Sequence, residues 1–550
     1  MIRLISLILL TIIQVSDQKS PPVKELVGLI SIDSLKKHIS YLGNDSLAGR
    51  GTGTIGGHLA AEYIAKHLKK YNILPLGDNQ SYYQKIPMHG SQPLPLSQLR
   101  LYSTDNSHEQ FRLGEHYLLY KTGAQTFVPN PTPLVFVGYG IIAPEFDYND
   151  YQRVDVQSKI VVFLSGEPFS RDSAYFSGEN PTIYSLPESK QRLAISRGAM
   201  GSILIPISSE SNTKINWDKW KREFSFEDIT LAYRVTGHLS VVLHPNIAFK
   251  LFEDALFSFN DVLAMNKNNA VQSFPLARCI SFRGKFKERD FTDKNVVGLL
   301  EGRDPDLKDS YLLISSHYDH LGIGPPIKGD SIYNGVFDNA AGVSAQLELA
   351  RIFAQLPKKP RRSIIFLFLT GEEKGLLGST YYTDHPLVPL YRTIANINID
   401  GLAMFDTFYD IIGIGIEFST LEEYLQQTAD YLDLKISPLP SPFGLNESFA
   451  HSDQISFANA GIPSMLISEG LNLQNYTYEE AFQKVINWQY DFYHTPFDDL
   501  NQTINYQAAR QHTQVLLTTC FLIANSVNTP QWHGNVKYYN IRLQTIAERR

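Results

Sequence analysis

Residues 363–373 read Ser-Ile-Ile-Phe-Leu-Phe-Leu-Thr-Gly-Glu-Glu, an unbroken apolar run closed by a glycine and two acids. Such a run, with no polar alternation, suits a strand covered on both faces. The same texture appears at Asn295-Val-Val-Gly-Leu-Leu and Tyr311-Leu-Leu-Ile-Ser-Ser, and helical patterns run from Gly342 to Leu356 and onward from near Leu376. Apolar strands alternating with amphipathic helices predict an α/β fold, a mostly parallel mixed sheet with helices on both faces. Chemistry in such sheets collects at the carboxyl ends of strands. There the chain places His317, Glu372, Glu373 and Asp400, each directly after a β-rich run.

Asp338, in Phe-Asp-Asn-Ala-Ala-Gly, and His494, in Tyr-His-Thr-Pro-Phe-Asp-Asp, extend the set along the same half of the chain. Each residue alone has an ordinary explanation. A His-x-Asp is usually a hydrogen-bonded surface histidine, and paired glutamates after a strand commonly favour a helix dipole. Their joint occurrence points instead to metal. His317, Asp338, Glu373, Asp400 and His494 supply imidazole and carboxylate without thiolate, which suits two adjacent hydrolytic zinc sites open to water.

Around this region the texture changes. From about Ser31 to Leu76 apolar residues recur at helical spacing, and between them lies Leu47-Ala-Gly-Arg-Gly-Thr-Gly-Thr-Ile-Gly-Gly. With no Gly-Lys-Ser/Thr ending, that stretch reads as a flexible connection entering a helix rather than a phosphate loop. Residues 110–285 form short β-rich runs, clearest at 134–142 and 159–164, with a helix near Lys190 to Arg197, and read as an inserted β-rich domain. The expected division is 1–16, 17–109, 110–285, 286–528 and a polar surface tail at 529–550.

The chain has 550 residues and a net charge of −7 with no long charged block, so nothing favours nucleic acid or an anionic membrane as partner. Residues 1–13 are one cation followed by an apolar run of about a dozen residues, too short for a bilayer that needs about 20. They read as a signal peptide ending near Val15-Ser16, which implies export to the periplasm or beyond the cell with no stable membrane anchor. Cys279 and Cys520 read as two isolated buried thiols.

The stretch 295–500 resembles the catalytic domain of the M28 metallopeptidases, the co-catalytic zinc aminopeptidases. The resemblance lies in Ser-His-Tyr-Asp-His-Leu-Gly (316–322), Asn-Gly-Val-Phe-Asp-Asn-Ala-Ala-Gly (334–342) and Gly-Glu-Glu-Lys-Gly-Leu-Leu-Gly-Ser (371–379). It continues in Asn-Ile-Asp-Gly (398–401), residues 452–464 and His-Thr-Pro-Phe-Asp (494–498). The inserted segment resembles a protease-associated domain through residues 136–141 and 154–162.

The resemblance implies two Zn2+ per chain: Asp338 bridging both, Glu373 and His494 completing one site, His317 and Asp400 the other. It makes Glu372 the general base for a zinc-activated hydroxide, and Asp319 the carboxylate that fixes the His317 tautomer. Peptides with a free N-terminus are the implied substrates. Carboxypeptidase or glutaminyl cyclase action, and a non-catalytic receptor-like role, remain open alternatives. Two positions depart from the pattern: Phe337 stands where many relatives carry Asp, and Gln454 replaces a frequent His. Among other histidines, His320 reads as an exposed loop residue, with support of a ligand from behind as the alternative, His385 as a helix-end residue, and His451 as close enough in sequence to Asp453 to approach the cleft. The aromatic run Tyr476, Tyr478, Phe482, Trp488, Tyr490, Phe492 and Tyr493 could wall a side-chain pocket or pack beneath the domain.

Overall fold

The computed structural model describes residues 23–120, 127–172, 174–178, 182–208, 215–235, 237–440, 443–534 and 536–548. The apolar run at Ser363–Leu369 is a strand between Phe286–Leu300, antiparallel to it, and Tyr311–His317, parallel to it. Thr393–Asn398 and Ser464–Glu469 extend the parallel set. Outside this centre the pairing turns antiparallel, except at the edge where Lys435–Ile436 runs parallel to Asp410–Ile414. Tyr83–Pro93 and then Asp228–Leu231 follow Phe286–Leu300 on one side, and Asp410–Ile414 follows Ser464–Glu469 on the other. With Leu74–Pro75 and Lys435–Ile436, the described residues contribute ten strands to this sheet. It is the mixed α/β sheet expected, with its parallel part at the centre.

Successive strand residues point to opposite faces. Ile364, Phe366 and Phe368 accordingly join one core with the helices Ile32–Leu42, Ile55–Lys70, Gly342–Gln355 and Tyr506–Asn525. Ile365, Leu367 and Leu369 join another with Tyr382 and Phe457 from the helices Leu377–Asp384 and Gln454–Asn459. Burying each such side chain stabilises by about 1.5–3 kcal/mol, which favours apolar residues at every position from 364 to 369.

The glycine-rich stretch at 47–57 is not a flexible connection. Arg50 is buried within it and donates to four main-chain carbonyls: Tyr318 (2.8 Å), Leu42 (2.6 Å), Asn334 (2.5 Å) and Gly335 (2.9 Å). Gly56 lies so close to the Leu47 carbonyl that a β-carbon would fall 1.7 Å from its oxygen. Close packing, not mobility, accounts for the glycines.

A second sheet contains eight strands among the described residues, in the order His108–Phe111, Gln98–Tyr102, Phe274–Arg283, Phe127–Phe136, Ile160–Leu164, Gly201–Ile205, Leu239–Leu243, Tyr117–Leu119. Its cores are separate from those of the first sheet. It begins earlier than residue 110, because Gln98–Tyr102 takes the distant Phe274–Arg283 as its antiparallel partner. One segment of the insert also leaves it: Asp228–Leu231 pairs with Tyr83–Pro93 in the larger sheet. Arg289 grips Glu227 through two bonds of 2.7 and 2.6 Å, and Tyr233 and Arg234 both donate to Asp384, at 2.6 and 2.7 Å.

The tail is more than a surface segment. Trp532 is buried and donates to the Gly461 carbonyl, and the helix Lys537–Ala547 buries Tyr538 and Arg542. Both cysteines are unpaired; Cys520 is buried and Cys279 half-buried. Among the described residues no helix is long and apolar enough to cross a membrane. The signal-peptide reading of 1–16 lies outside the described residues.

Candidate metal centre

His317 is the last residue of its strand, buried where the parallel centre of the sheet ends. Its Nδ1 donates to the Asp319 carbonyl at 3.2 Å, while the Asp319 carboxylate lies 3.9 Å away. The main chain therefore fixes the tautomer that was expected of the carboxylate. That carboxylate has other work: Oδ1 accepts from the Glu372 backbone N–H at 3.2 Å and Oδ2 from the Thr52 hydroxyl at 2.9 Å.

With Nδ1 occupied, His317 Nε2 faces Asp338 Oδ1 at 3.2 Å and Asp400 Oδ1 at 3.1 Å. His494 Nε2 approaches the same carboxylate from its other oxygen, 3.5 Å from Asp338 Oδ2, and lies 3.1 Å from Glu373 Oε2. Asp338 thus stands between two half-sites, His317 with Asp400 and His494 with Glu373. One ligating atom from each of His317, Asp338 and Glu373 falls within 4.8 Å of the others, and the same holds for His317, Glu372 and Asp400.

The supporting residues explain how the sequence holds this geometry. Both oxygens of buried Asp498 accept main-chain N–H groups, from Phe337 at 2.9 Å and Asp338 at 3.1 Å. Asn339 accepts from the N–H groups of Gly342 and Gly401 and donates to the Ile399 carbonyl, tying the Asp338 turn to the Asp400 loop. His494 is held at φ 55°, a left-handed backbone costing a residue with a β-carbon about 1–2 kcal/mol. Its ring stacks on Tyr493 with centroids 3.8 Å apart.

His320 is not exposed. It is fully buried, and Nδ1 contacts Glu373 Oε1 at 2.5 Å. The sequence favours exposure for His320 and gives Arg50 no role, since the burial of both arises where the glycine-rich stretch packs against residues 318–335. Asp498 had a signal in the His-Thr-Pro-Phe-Asp motif. Gln454 is buried, bonded to Asn398 and to the Phe449 carbonyl, so it builds the scaffold. Phe337 packs on Phe405 and Trp488. His385 caps its helix and stacks on Tyr381, whereas His451 lines cavities beside Glu372.

The electrostatics match a cation site. Burial alone would lower His317, but Glu372 and Asp400 reverse this and hold it well above the usual imidazole range. His494, likewise opposed by burial, is raised to about 10 by Glu373 and Asp338. Burial, then Asp400, Glu373 and Asp453, pushes Glu372 well above the usual carboxylate range. Burial pushes Asp319 up to about 6 and Asp453 up to about 7. His494 Nε2 forms no aligned hydrogen bond among the described residues, as expected of ligands converging on a shared point rather than on each other. Nitrogen and oxygen donors without sulfur, around concentrated buried negative charge, fit zinc.

Two cavities meet at these residues. One, about 780 Å3, lies between the two units, with Glu372, Glu373 and His494 on one side and Arg192, Phe224 and Phe226 of the insert on the other. The second, about 400 Å3, opens from Asp338, Glu372 and Asp400 and is walled by Phe337, Phe405 and Trp488. Of the aromatic run before His494, Trp488 and Tyr493 line this second cavity, Phe482 packs against the core, and Tyr476, Tyr478 and Tyr490 are exposed.

Residues 295–520 match the model of Peptidase family M28. They form an M28 peptidase domain. The mouse (Mus musculus) protein named Aminopeptidase NAALADL1 is 31% identical over 228 residues, covering 38% of this chain and 28% of that protein. Aminopeptidase YwaD of Bacillus subtilis is 32% identical over 113 residues, covering 20% of this chain and 22% of that protein. The matches thus span about a quarter of these curated relatives. An aminopeptidase structure from Aneurinibacillus sp. strain AM-1 superposes with a TM-score of 0.54 at 18% identity, covering 94% of this chain and 97% of that one. That likeness is one of fold, and it extends well beyond the M28 domain.

Proposed function

We propose that the chain is a metallo-aminopeptidase that removes N-terminal residues from peptides, using two zinc ions. The observation that carries this reading is Asp338, whose two oxygens face separate imidazoles, each paired with a further carboxylate. His317, Asp338 and Asp400 would hold one ion and Asp338, Glu373 and His494 the other. Bound zinc polarises the scissile carbonyl and acidifies water.

The remaining work falls to the chain itself. Glu372, its main chain anchored by Asp319, projects into the cavity mouth without belonging to either proposed ligand set. There it would take the proton of the attacking water and deliver it to the departing amine, a leaving group that must be protonated. The buried ring of His320 and the main-chain acceptor on His317 orient ligands, and the insert wall narrows the approach for water and substrate. The names of the matched relatives agree with aminopeptidase action. The insert is read as a protease-associated domain and the product as exported, the latter resting on residues 1–16.

The test is a panel of aminoacyl-p-nitroanilides with N-blocked controls, assayed with and without chelator, beside elemental analysis. Expected are cleavage of free-amine substrates alone, loss with chelator, and two zinc ions per chain. Cleavage of blocked substrates only, or no bound transition metal after zinc supplementation, would refute it.

A further inference from the structure

The 400 Å3 cavity beside Asp338 and Asp400 has apolar walls but carries one acid that the metal site does not use. Glu469, the last residue of its strand, lines it. Its side chain is 20% exposed, and among the described residues no lysine or arginine lies within ion-pair distance. Its neighbours are the Ser468 hydroxyl, which donates at 3.3 Å, and His512 Nδ1 at 3.7 Å.

His512 cannot neutralise it. Nδ1 accepts the Ala403 N–H at 2.9 Å and so carries no proton, while Nε2 donates to the Ile467 carbonyl at 3.0 Å. Both ring nitrogens are committed, which fixes a neutral imidazole. The Glu469 charge is therefore left facing the cavity. The other acids lining that cavity are Asp338, Glu372 and Asp400, and no lysine or arginine lines it among the described residues. A long aliphatic stem would lie along Trp488, Val485 and Ile412, and a cation at its tip would meet a carboxylate that has no cationic partner among the described residues.

We propose that this cavity takes the side chain of the N-terminal residue and that Glu469 makes it select lysine and arginine. This rests on the aminopeptidase reading. The test compares kcat/KM on lysyl, norleucyl and glutamyl p-nitroanilides, since norleucine is the lysine stem without its ammonium. The zinc-loaded full chain should favour lysyl over norleucyl at least tenfold and cleave glutamyl least. In Glu469→Gln the lysyl-to-norleucyl ratio should fall at least tenfold, through KM.

Parity of lysyl and norleucyl in the wild type overturns the proposal while leaving the aminopeptidase reading intact. So does an equal loss on both in the variant, which would put Glu469 on the α-amine. Should Glu469→Gln fail to fold, the wild-type ratio decides alone. Cleavage of none of the free-amine substrates removes both readings together.

Discussion

Burial and the charges of Asp400, Glu373 and Asp453 hold the Glu372 proton more tightly than a surface glutamate would. A proton held there is useful only if it can be handed on. Glu372→Gln keeps the size and hydrogen-bonding capacity of the group but removes that exchange, so kcat should fall by about 10²–10⁴ while zinc content stays at the wild-type value. A metallated variant with full turnover would take Glu372 out of the role. His320 acts one step away, through its contact with Glu373. His320→Asn should weaken zinc binding by about 10–100-fold in a chelator-competition titration, as loss of a group orienting a ligand typically does. Unchanged affinity would make His320 a packing residue only. The proposed ligands and base stand out in the sequence because each ends a strand or lies in a dense motif, and the fold brings their side chains together. The burial of His320 and Arg50 was not legible there, because it depends on the glycine-rich stretch that carries Arg50 packing against residues 318–335, far away in the chain.

Two elements carry predictions of their own. In the 47–57 loop Arg50 satisfies four buried carbonyls. Arg50→Met would strand them, and the expected destabilisation is about 3 kcal/mol or more, read by denaturant unfolding. A loss under about 1 kcal/mol would show that those carbonyls find other partners. In the insert, the helix Pro187–Ser196 buries Lys190, which donates to the carbonyls of Leu164 at 3.0 Å and of Gly166. Burial lowers this amine to about 7 from 10.5. Between those values the unfolded chain binds more protons than the folded one, so Lys190 makes stability rise with pH from about 7 towards 10. Lys190→Met should flatten that rise in a series of thermal melts; an unaltered slope would contradict it. Tyr311–His317 and Ser363–Leu369 could be read from sequence as buried strands from their continuous apolar runs, but the same texture at 295–300 belongs to a strand that pairs antiparallel on both sides. Asp228–Leu231 could not: it is short and half-buried, and only its partner Tyr83–Pro93 decides which sheet it enters.

For the whole molecule, the proposed metal centre draws on strand ends, the turn at Asp338 and a loop beyond the helix at 478–491, so zinc bound there should tie distant parts together. Chelator should lower Tm as well as abolish activity, and zinc should restore both, since a ligand that binds only the folded state stabilises it. A Tm indifferent to chelator would mean that the centre is preorganised without contributing to stability. The sheet order carries one more consequence, for how the chain is made. Tyr83–Pro93 must wait for Phe286–Leu300 as its neighbour, and the whole insert lies between them. When residue 283 has left the ribosome the smaller sheet has all its strands, while the larger one still lacks its entire parallel centre. Vectorial synthesis therefore lets the guest domain mature first and obliges its host to assemble around it afterwards.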